Sequence, residues 1–379
     1  MIASLVTAVI VISAVVAVPT LSYVNLLSVD QQQLRNIALG TLKTMLFDTG
    51  YPTSWGSTLD FDPDQVERFG LALAGSPSFY VLDSDKVQRL VAGNPAGFIE
   101  YEDIRTKLKL QGYGFNLAIG PPFQVIVNDE DFDGQSNPVT LEDIMEGIEV
   151  LVASNDGSPI PKASVKATLV YAVKDFQNAT YLVQASNTTD AVGRCTIKPK
   201  TASGGIEDIV IVFKVTVADL TTVTSSYVQG FGPQVVINST IIGDEILLTI
   251  PEGVGWEKDS AGARWVVSLM QVSEDEVWIA YNGTKSEESK ITWGLGHWGW
   301  SMLFPGLSYY NPLFTIFTLN VPNPRRFILV LGPEPIWRGL RVADCGGSPR
   351  SSPIVKVQRN VIISGMTYIA ELTLWKESA

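Results

Sequence analysis

IVIVFKVTV, Ile209–Val217, reads as a nearly unbroken β-branched strand, interrupted only by Phe213 and Lys214. Branched Cβ atoms are stiff at χ1 and fit a pleated surface better than a helix. Upstream, Val165, Ala167, Leu169 and Tyr171 recur at every second position, and so do Ile148, Val150 and Val152. Alternation at period two predicts half-buried strands. Asn155–Asp156–Gly157 and Asp190–Ala191–Val192–Gly193 supply turns, and Cys195 and Ile197 follow the second on one face. Short strands with turns at this spacing predict a β-sandwich over residues 147–232. A third, β-rich block over residues 233–379 continues the style and closes with Val355–Val361 and Tyr368–Leu374.

Before residue 147 the pattern is mixed. Leu34, Ile37, Ala38, Leu42, Met45 and Leu46 recur at spacings of three and four, so Gln31–Phe47 predicts an amphipathic helix stopped by Gly50 and Pro52. Asp62–Pro63 is an N-cap with a first-turn proline, predicting a short helix over Asp64–Phe69. Phe79–Leu82 predicts a strand, Asp83 or Ser84 caps a helix over Lys86–Val91, and Tyr101, Ile104 and Leu108 mark another ending near Gly112. Phe115, Leu117 and Ile119, then Phe123, Val125 and Val127, alternate as strands divided by Pro121–Pro122. Residues 31–146 are expected to form a helix-led α+β domain.

The opening segment is of another kind. Ile2–Leu27 carries no charge, and none appears before Asp30. As a helix it can cross a hydrocarbon core of roughly 30 Å, and Pro19 is tolerable there as a kink. No basic residue precedes it and its apolar run is long for a secretory signal. The expectation is an uncleaved transmembrane helix within residues 1–30, with processing near Ala14–Ala17 as the alternative. The body is expected outside the cell. The sequons at Asn178, Asn187, Asn238 and Asn282, as glycosylation candidates, agree with that side.

The 379 residues carry a net charge of −12, which repels phosphate backbones and argues against nucleic-acid binding. Two cysteines, Cys195 and Cys345, are too few for a disulfide framework or a four-thiolate zinc site. They form either one long-range disulfide or two separate buried thiols. A single histidine, His297, excludes histidine-cluster metal sites.

The first third resembles archaeal type IV pilin-like and related membrane-anchored surface proteins. The resemblance rests on the leading helix running into Leu34–Phe47, on Gly50–Tyr51–Pro52–Thr53–Ser54–Trp55–Gly56, on Phe69–Gly70–Leu71–Ala72, and on Tyr80–Val81–Leu82–Asp83 with Asp85–Lys86–Val87. It implies surface exposure, as a filament subunit or an anchored relative. The basic leader and the acid near the start of a pilin helix are not among these residues, so an upstream start and a non-polymerising relative both stay open. Gly157–Ser158–Pro159–Ile160–Pro161, Ala163, Val165 and Thr189–Arg194 look like an immunoglobulin-like or carboxypeptidase-regulatory-like sandwich, a spacer or adhesive unit. That resemblance implies a fold more than an activity.

Asp129, Asp131 and Asp133 with Gly134 space hard oxygen ligands as the start of a calcium loop does, though Thr140 stands where a bidentate glutamate is expected. The competing reading is a solvated acidic hairpin, with Glu142 or Asp143 as recruits only in a non-standard loop. Trp293, His297, Trp298 and Trp300 crowd one glycine-rich stretch. Such indoles either contact a partner or glycan or plug a local core. Glu274, Asp275 and Glu276 read as solvated turn acids, Gly346 and Gly347 lack the lysine and serine of a phosphate loop, and His297 has no nominated nucleophile. No cofactor other than calcium is indicated and no enzyme is expected. The whole reads as a membrane-anchored structural or adhesive surface protein whose partners are the bilayer, through residues 2–27, and like subunits, envelope proteins or glycans. The alternative is a glycan-binding module with a calcium-stiffened loop.

Overall fold

The structure is a computed structural model. It describes residues 30–92, 94, 97–128, 139–173, 180–200, 206–227, 238–251, 264–272, 277–286, 289–293, 297–304, 314–321, 325–331, 343–348 and 353–377. The expected transmembrane segment lies outside the described residues; among those described, no helix is long and apolar enough to cross a membrane.

Among the described residues, four α-helices and twenty strands follow one another. Helix α1 covers residues 30–47. Strand β1 (Val81–Leu82), α2 (Ser84–Gln88), α3 (Tyr101–Lys107), β2 (Tyr113–Gly120), β3 (Phe123–Val127) and α4 (Leu141–Glu146) complete the mixed part. Then come β4 (Ile148–Ser154), β5 (Ser164–Val173), β6 (Thr180–Thr188), β7 (Arg194–Ile197), β8 (Ile206–Val217), β9 (Leu220–Tyr227), β10 (Asn238–Ile242) and β11 (Glu245–Pro251). The last are β12 (Arg264–Val272), β13 (Val277–Ser286), β14 (Ser289–Trp293), β15 (His297–Leu303), β16 (Phe314–Val321), β17 (Arg325–Leu331), β18 (Ala343–Gly346), β19 (Ile354–Ile363) and β20 (Met366–Lys376). The described chain is mostly β.

Helix α1 forms as its periodicity predicts. Leu34, Ala38, Leu42, Met45 and Leu46 are buried along one stripe, Ile37 and Leu39 are half-buried beside it, and Arg35, Asn36, Gly40, Lys43 and Thr44 face out. Each large aliphatic side chain buried this way contributes roughly 1.5–3 kcal/mol before entropy is counted. Past the helix, Gly50 takes φ +73° and donates its N–H to Asp48 Oδ1 at 2.8 Å. Gly70 lies so close that a Cβ there would sit 2.2 Å from the Asp48 carbonyl. Trp55 locks the crossing by donating its indole N–H to the Gly70 carbonyl at 3.0 Å. The helix expected over 64–69 is only one 3₁₀ turn, Pro63–Gln65, capped by Asp62.

The stripe of α1 shares one core with a five-stranded sheet in the order β1-β19-β20-β2-β18. β1 is parallel to β19, and the other pairs are antiparallel. This sheet cuts across the expected division of the chain. β20 and β19, from the block expected at 233–379, pair with β2 and β1 from the block expected at 31–146. β3, expected with β2, pairs instead with β4 of the sandwich. Periodicity shows that a segment is a strand but not which distant strand completes it. Pro121–Pro122 marks where the chain leaves one sheet for the next.

The sandwich sets the sheet β3-β4-β7 against β6-β5-β8-β9. Phe123, Val125, Ile148, Val150 and Val152 from the first meet Val165, Ala167, Leu169, Tyr171, Ile211, Phe213 and Val215 from the second. The four-stranded sheet is buried on its other face too. Val170, Val210, Val212 and Val223 belong to the core of α1 and the five-stranded sheet. Double coverage accounts for the unbroken apolar run in β8, because a strand with one wet face would alternate. Two further four-stranded sheets, β10-β11-β15-β14 and β13-β12-β16-β17, follow.

Candidate functional site

Helix α2 carries the most unusual chemistry among the described residues. Asp83 caps it, accepting from the Asp85 N–H at 3.0 Å. Two of its charged neighbours are then carried inside: Lys86 and Arg89 have no exposed surface. Charges are tolerated there only when paired or fully hydrogen-bonded. The Lys86 Nζ donates to the carbonyls of Thr49 (3.0 Å) and Ala72 (3.1 Å) and lies 3.3 Å from Asp83 Oδ2. Burial lowers its pKa, with Asp83 opposing. Arg89 donates to the carbonyls of Gly56 (2.8 and 3.1 Å), Gly97 (3.2 Å) and Thr58, and its guanidinium lies 4.6 Å from the Phe61 ring centre. Burial brings its pKa down to about 10. α2 thus stitches the irregular segment 49–61 to the sheet, using backbone carbonyls that a loop leaves unpaired.

The same helix reaches the next module. Gln88 Nε2 donates to the Ile241 carbonyl at 3.0 Å, and the Gly243 N–H donates to Asp85 Oδ2 at 3.0 Å. Ile242 and Leu247 are buried at this contact, with Leu59 packed against them. Gly243, at φ +55°, has no room for a side chain: a Cβ would meet the Ser57 carbonyl at 2.7 Å. Burial, then the charge of Asp83, push Asp85 up to about 7, against the Gly243 N–H, the Ser57 hydrogen bond and Arg89. In sequence Asp83 and Asp85 read only as caps. The missed signal was Lys86 and Gln88 on a five-residue helix whose one apolar residue is Val87, with Arg89 at its C-cap. The arrangement positions segments; it brings no nucleophile beside a base.

The expected site residues are dispersed. Asp129, Asp131, Asp133 and Gly134 lie outside the described residues, as do Asn178 and Glu274–Glu276. Among the described residues no group of three or more His, Cys, Asp or Glu is placed to hold a metal. Asp143 is committed elsewhere: its Oδ2 accepts from the Thr140 N–H (2.6 Å), the Thr140 hydroxyl (2.8 Å) and Asn128 Nδ2 (2.9 Å). Asn187 is exposed on β6, its Nδ2 donating to the Thr196 carbonyl at 2.9 Å, and Asn238 and Asn282 fall on β10 and β13.

The tryptophan stretch is a hairpin of β14 and β15, with Trp293 opposite His297, Thr292 opposite Trp298 and Lys290 opposite Trp300. Across β15, Trp298 and Trp300 pair with Ile250 and Leu248 of β11, in register with the buried Ile246. Trp293 and His297 occupy the alternate register, with Gly299 and Ser301. Alternate strand positions belong to opposite faces, so the register does not gather all four residues at one place. The cysteines settle into different cores, Cys195 in the sandwich and Cys345 in the core of the five-stranded sheet, both buried and not joined in a disulfide. Burial, then the charge of Asp190, raise Cys195 to about 11.

No family model and no curated protein matches the sequence. Among solved structures, the chain is similar to a Ca2+-stabilized adhesin that helps an Antarctic bacterium bind ice, at 13% identity over 56% of this chain and 48% of that one, with TM-score 0.15. Escherichia coli alpha-2-macroglobulin activated by porcine elastase matches at 12% identity over 65% and 23%, with TM-score 0.17. A marsupial T cell receptor matches at 5% identity over 70% and 94%, with TM-score 0.16. The chain spans less than half the length of the first two. These matches share too little geometry with the chain to place it in any family.

Proposed function

We propose that this chain is a membrane-anchored structural or adhesive protein of the cell surface, a pilin-like archaeal envelope or appendage component. One observation carries the reading. The uncharged segment Ile2–Leu27 stands just before α1 in the sequence, and α1 buries its stripe against the sheet that β19 and β20 complete. A lipid anchor so joined to the body's largest core transmits load to the whole fold and not to a loose tether. The seven strands of the sandwich, three against four, support an immunoglobulin-like spacer. The exposed Asn187 sequon and the net charge of −12 suit a body held in water outside the cell. Buried polar groups in α2 serve this role by fixing segments, as a load-bearing module requires.

The test is fractionation of cells making the full chain, with protease added to intact cells. The chain is expected in the membrane fraction, resistant to carbonate extraction, with the body cleaved from outside. Removing residues 2–27 should release it. Recovery of the intact chain from the soluble interior of the cell would overturn the reading. Saturable glycan binding abolished by Trp298→Ala would replace structural work with recognition.

A further inference from the structure

The sequon Asn187–Thr188–Thr189 is divided by the fold. Asn187 and Thr188 are exposed at the end of β6, while Thr189, one step further, is only 4% exposed. We propose that Asn187 is an N-glycosylation site open only on the unfolded chain. Its amide takes an oligosaccharide from a polyprenyl-phosphate carrier before the sandwich closes, and closure ends its use as an acceptor. This rests on the reading of the body as standing outside the cell, the side on which such carriers present their sugar.

The geometry supplies the reason. A sequon offers an asparagine amide as nucleophile and, two residues on, a serine or threonine hydroxyl that the transferase must reach. In the folded chain that hydroxyl is spent twice. Thr189 Oγ1 donates to the Ile160 carbonyl at 2.8 Å and accepts from the Ala163 N–H at 2.8 Å. The backbone is held as well. The Thr189 N–H donates to the Ala163 carbonyl and the Thr189 carbonyl accepts from the Lys162 N–H, both at 3.0 Å, while Asn187 and Thr188 pair with Val165 and Ser164 of β5. The amide is engaged too: Asn187 Oδ1 accepts from the Thr188 N–H at 2.8 Å, and Nδ2 donates to the Thr196 carbonyl at 2.9 Å. β6 belongs to the four-stranded sheet and β7, which carries Thr196, to the three-stranded one, so this single amide ties the two sheets together. Lifting Thr189 into an enzyme therefore breaks sheet pairing and the link between sheets at once; fraying of the exposed half does not suffice. In the transfer, a bond forms between Asn187 Nδ2 and the sugar C1, the bond from C1 to the carrier phosphate oxygen breaks, the carrier leaves as its phosphate with the bonding pair, and the amide gives up one proton. Nδ2 keeps its second hydrogen. A sugar attached early thus leaves one donor for the Thr196 carbonyl when the sandwich forms.

The full chain, made in cells without a transferase and purified in detergent, is given a purified oligosaccharyltransferase that accepts Asn-x-Thr and a polyprenyl-diphosphate-linked oligosaccharide. Peptide mass reads occupancy at Asn187, and a synthetic peptide of residues 183–195 serves as the unfolded acceptor. The peptide is expected to be modified, and the folded chain at least about a hundredfold more slowly, because only its opened fraction is an acceptor. Val150→Asp, which puts a charge into the sandwich core, should bring Asn187 in the full chain to within about tenfold of the peptide. Modification of the folded chain at the peptide's rate, a peptide that is never modified, or an opened Val150→Asp chain that stays unmodified would overturn the gate. Should that variant not stay soluble, a pulse–chase in cells that carry the transferase decides instead: occupancy at Asn187 should be fixed within the pulse, and a rise during the chase would sink the idea. The purified assay does not depend on where a cell puts the chain, so failure of the surface reading and failure of the gate are told apart.

Discussion

At the scale of single residues, the chain stakes its stability on buried polar groups in unusual places. Lys86 is the sharpest case. Its removal leaves two carbonyls and the half of Asp83 that faces it without a donor. Lys86→Met is expected to cost on the order of 3–5 kcal/mol, read as a lower urea midpoint at unchanged slope. Asp85 makes stability depend on pH. Its folded value of about 7 lies above that of an unfolded aspartate, so the native state binds the extra proton in between. Its contribution is therefore complete below about pH 4 and lost as pH rises through about 7. The difference in melting temperature between wild type and Asp85→Asn should change across that window and stay constant above it. The cysteines are inert by burial: both should resist alkylation at pH 8 in the folded chain and react at once in denaturant. None of this was legible from spacing. Asp83 and Asp85 have the ordinary look of helix caps, and nothing local says that Asp83 is buried or that Asp85 is half-covered and bonded to the Gly243 N–H of the β10–β11 turn.

At the scale of elements, most of what forms was readable. The stripe of α1, the caps of α2, the strand pairs around Pro121–Pro122 and the alternating residues of β4 and β5 all follow local rules of period and turn chemistry. Two limits have physical causes. Asp62–Pro63 starts a helical turn, but the chain beyond it is bridged to Tyr51, whose N–H donates to the Arg68 carbonyl and whose carbonyl accepts from the Glu67 N–H, so these backbone groups are spent outside a longer helix. The apolar run of β8 announced a strand, yet a run alone does not say what covers each face. The answer, one core on each side, makes a prediction. Lysine at Val212 and lysine at Phe213 should be comparably damaging, each costing several kcal/mol, because neither face offers the charge a route to water. A sheet wet on one side would tolerate the first. Equilibrium denaturation of the two variants decides the matter. The tryptophan hairpin shows the reverse limit: four residues adjacent in sequence are split by strand alternation into two registers.

At the scale of the whole molecule, strand identity was legible and strand partnership was not. Nothing local in Tyr113–Gly120 says that its neighbour is Met366–Lys376, more than two hundred positions away. Yet that pairing defines the leading module. β20 lies between β19 and β2, and its Trp375 covers Gly114, where a Cβ would meet the indole at 2.3 Å. A chain truncated after residue 342 should therefore lose protection along α1 as well as in β2, as measured by hydrogen exchange, although every residue of both is retained. Loss confined to the neighbourhood of the cut would contradict this shared core. The pairing also orders events in time. While the ribosome is still reading toward codon 376, β2 and α1 wait without the strand that completes them, so the leading module closes only after synthesis has passed that point. Its first-made half is thus held open until its last-made strands arrive.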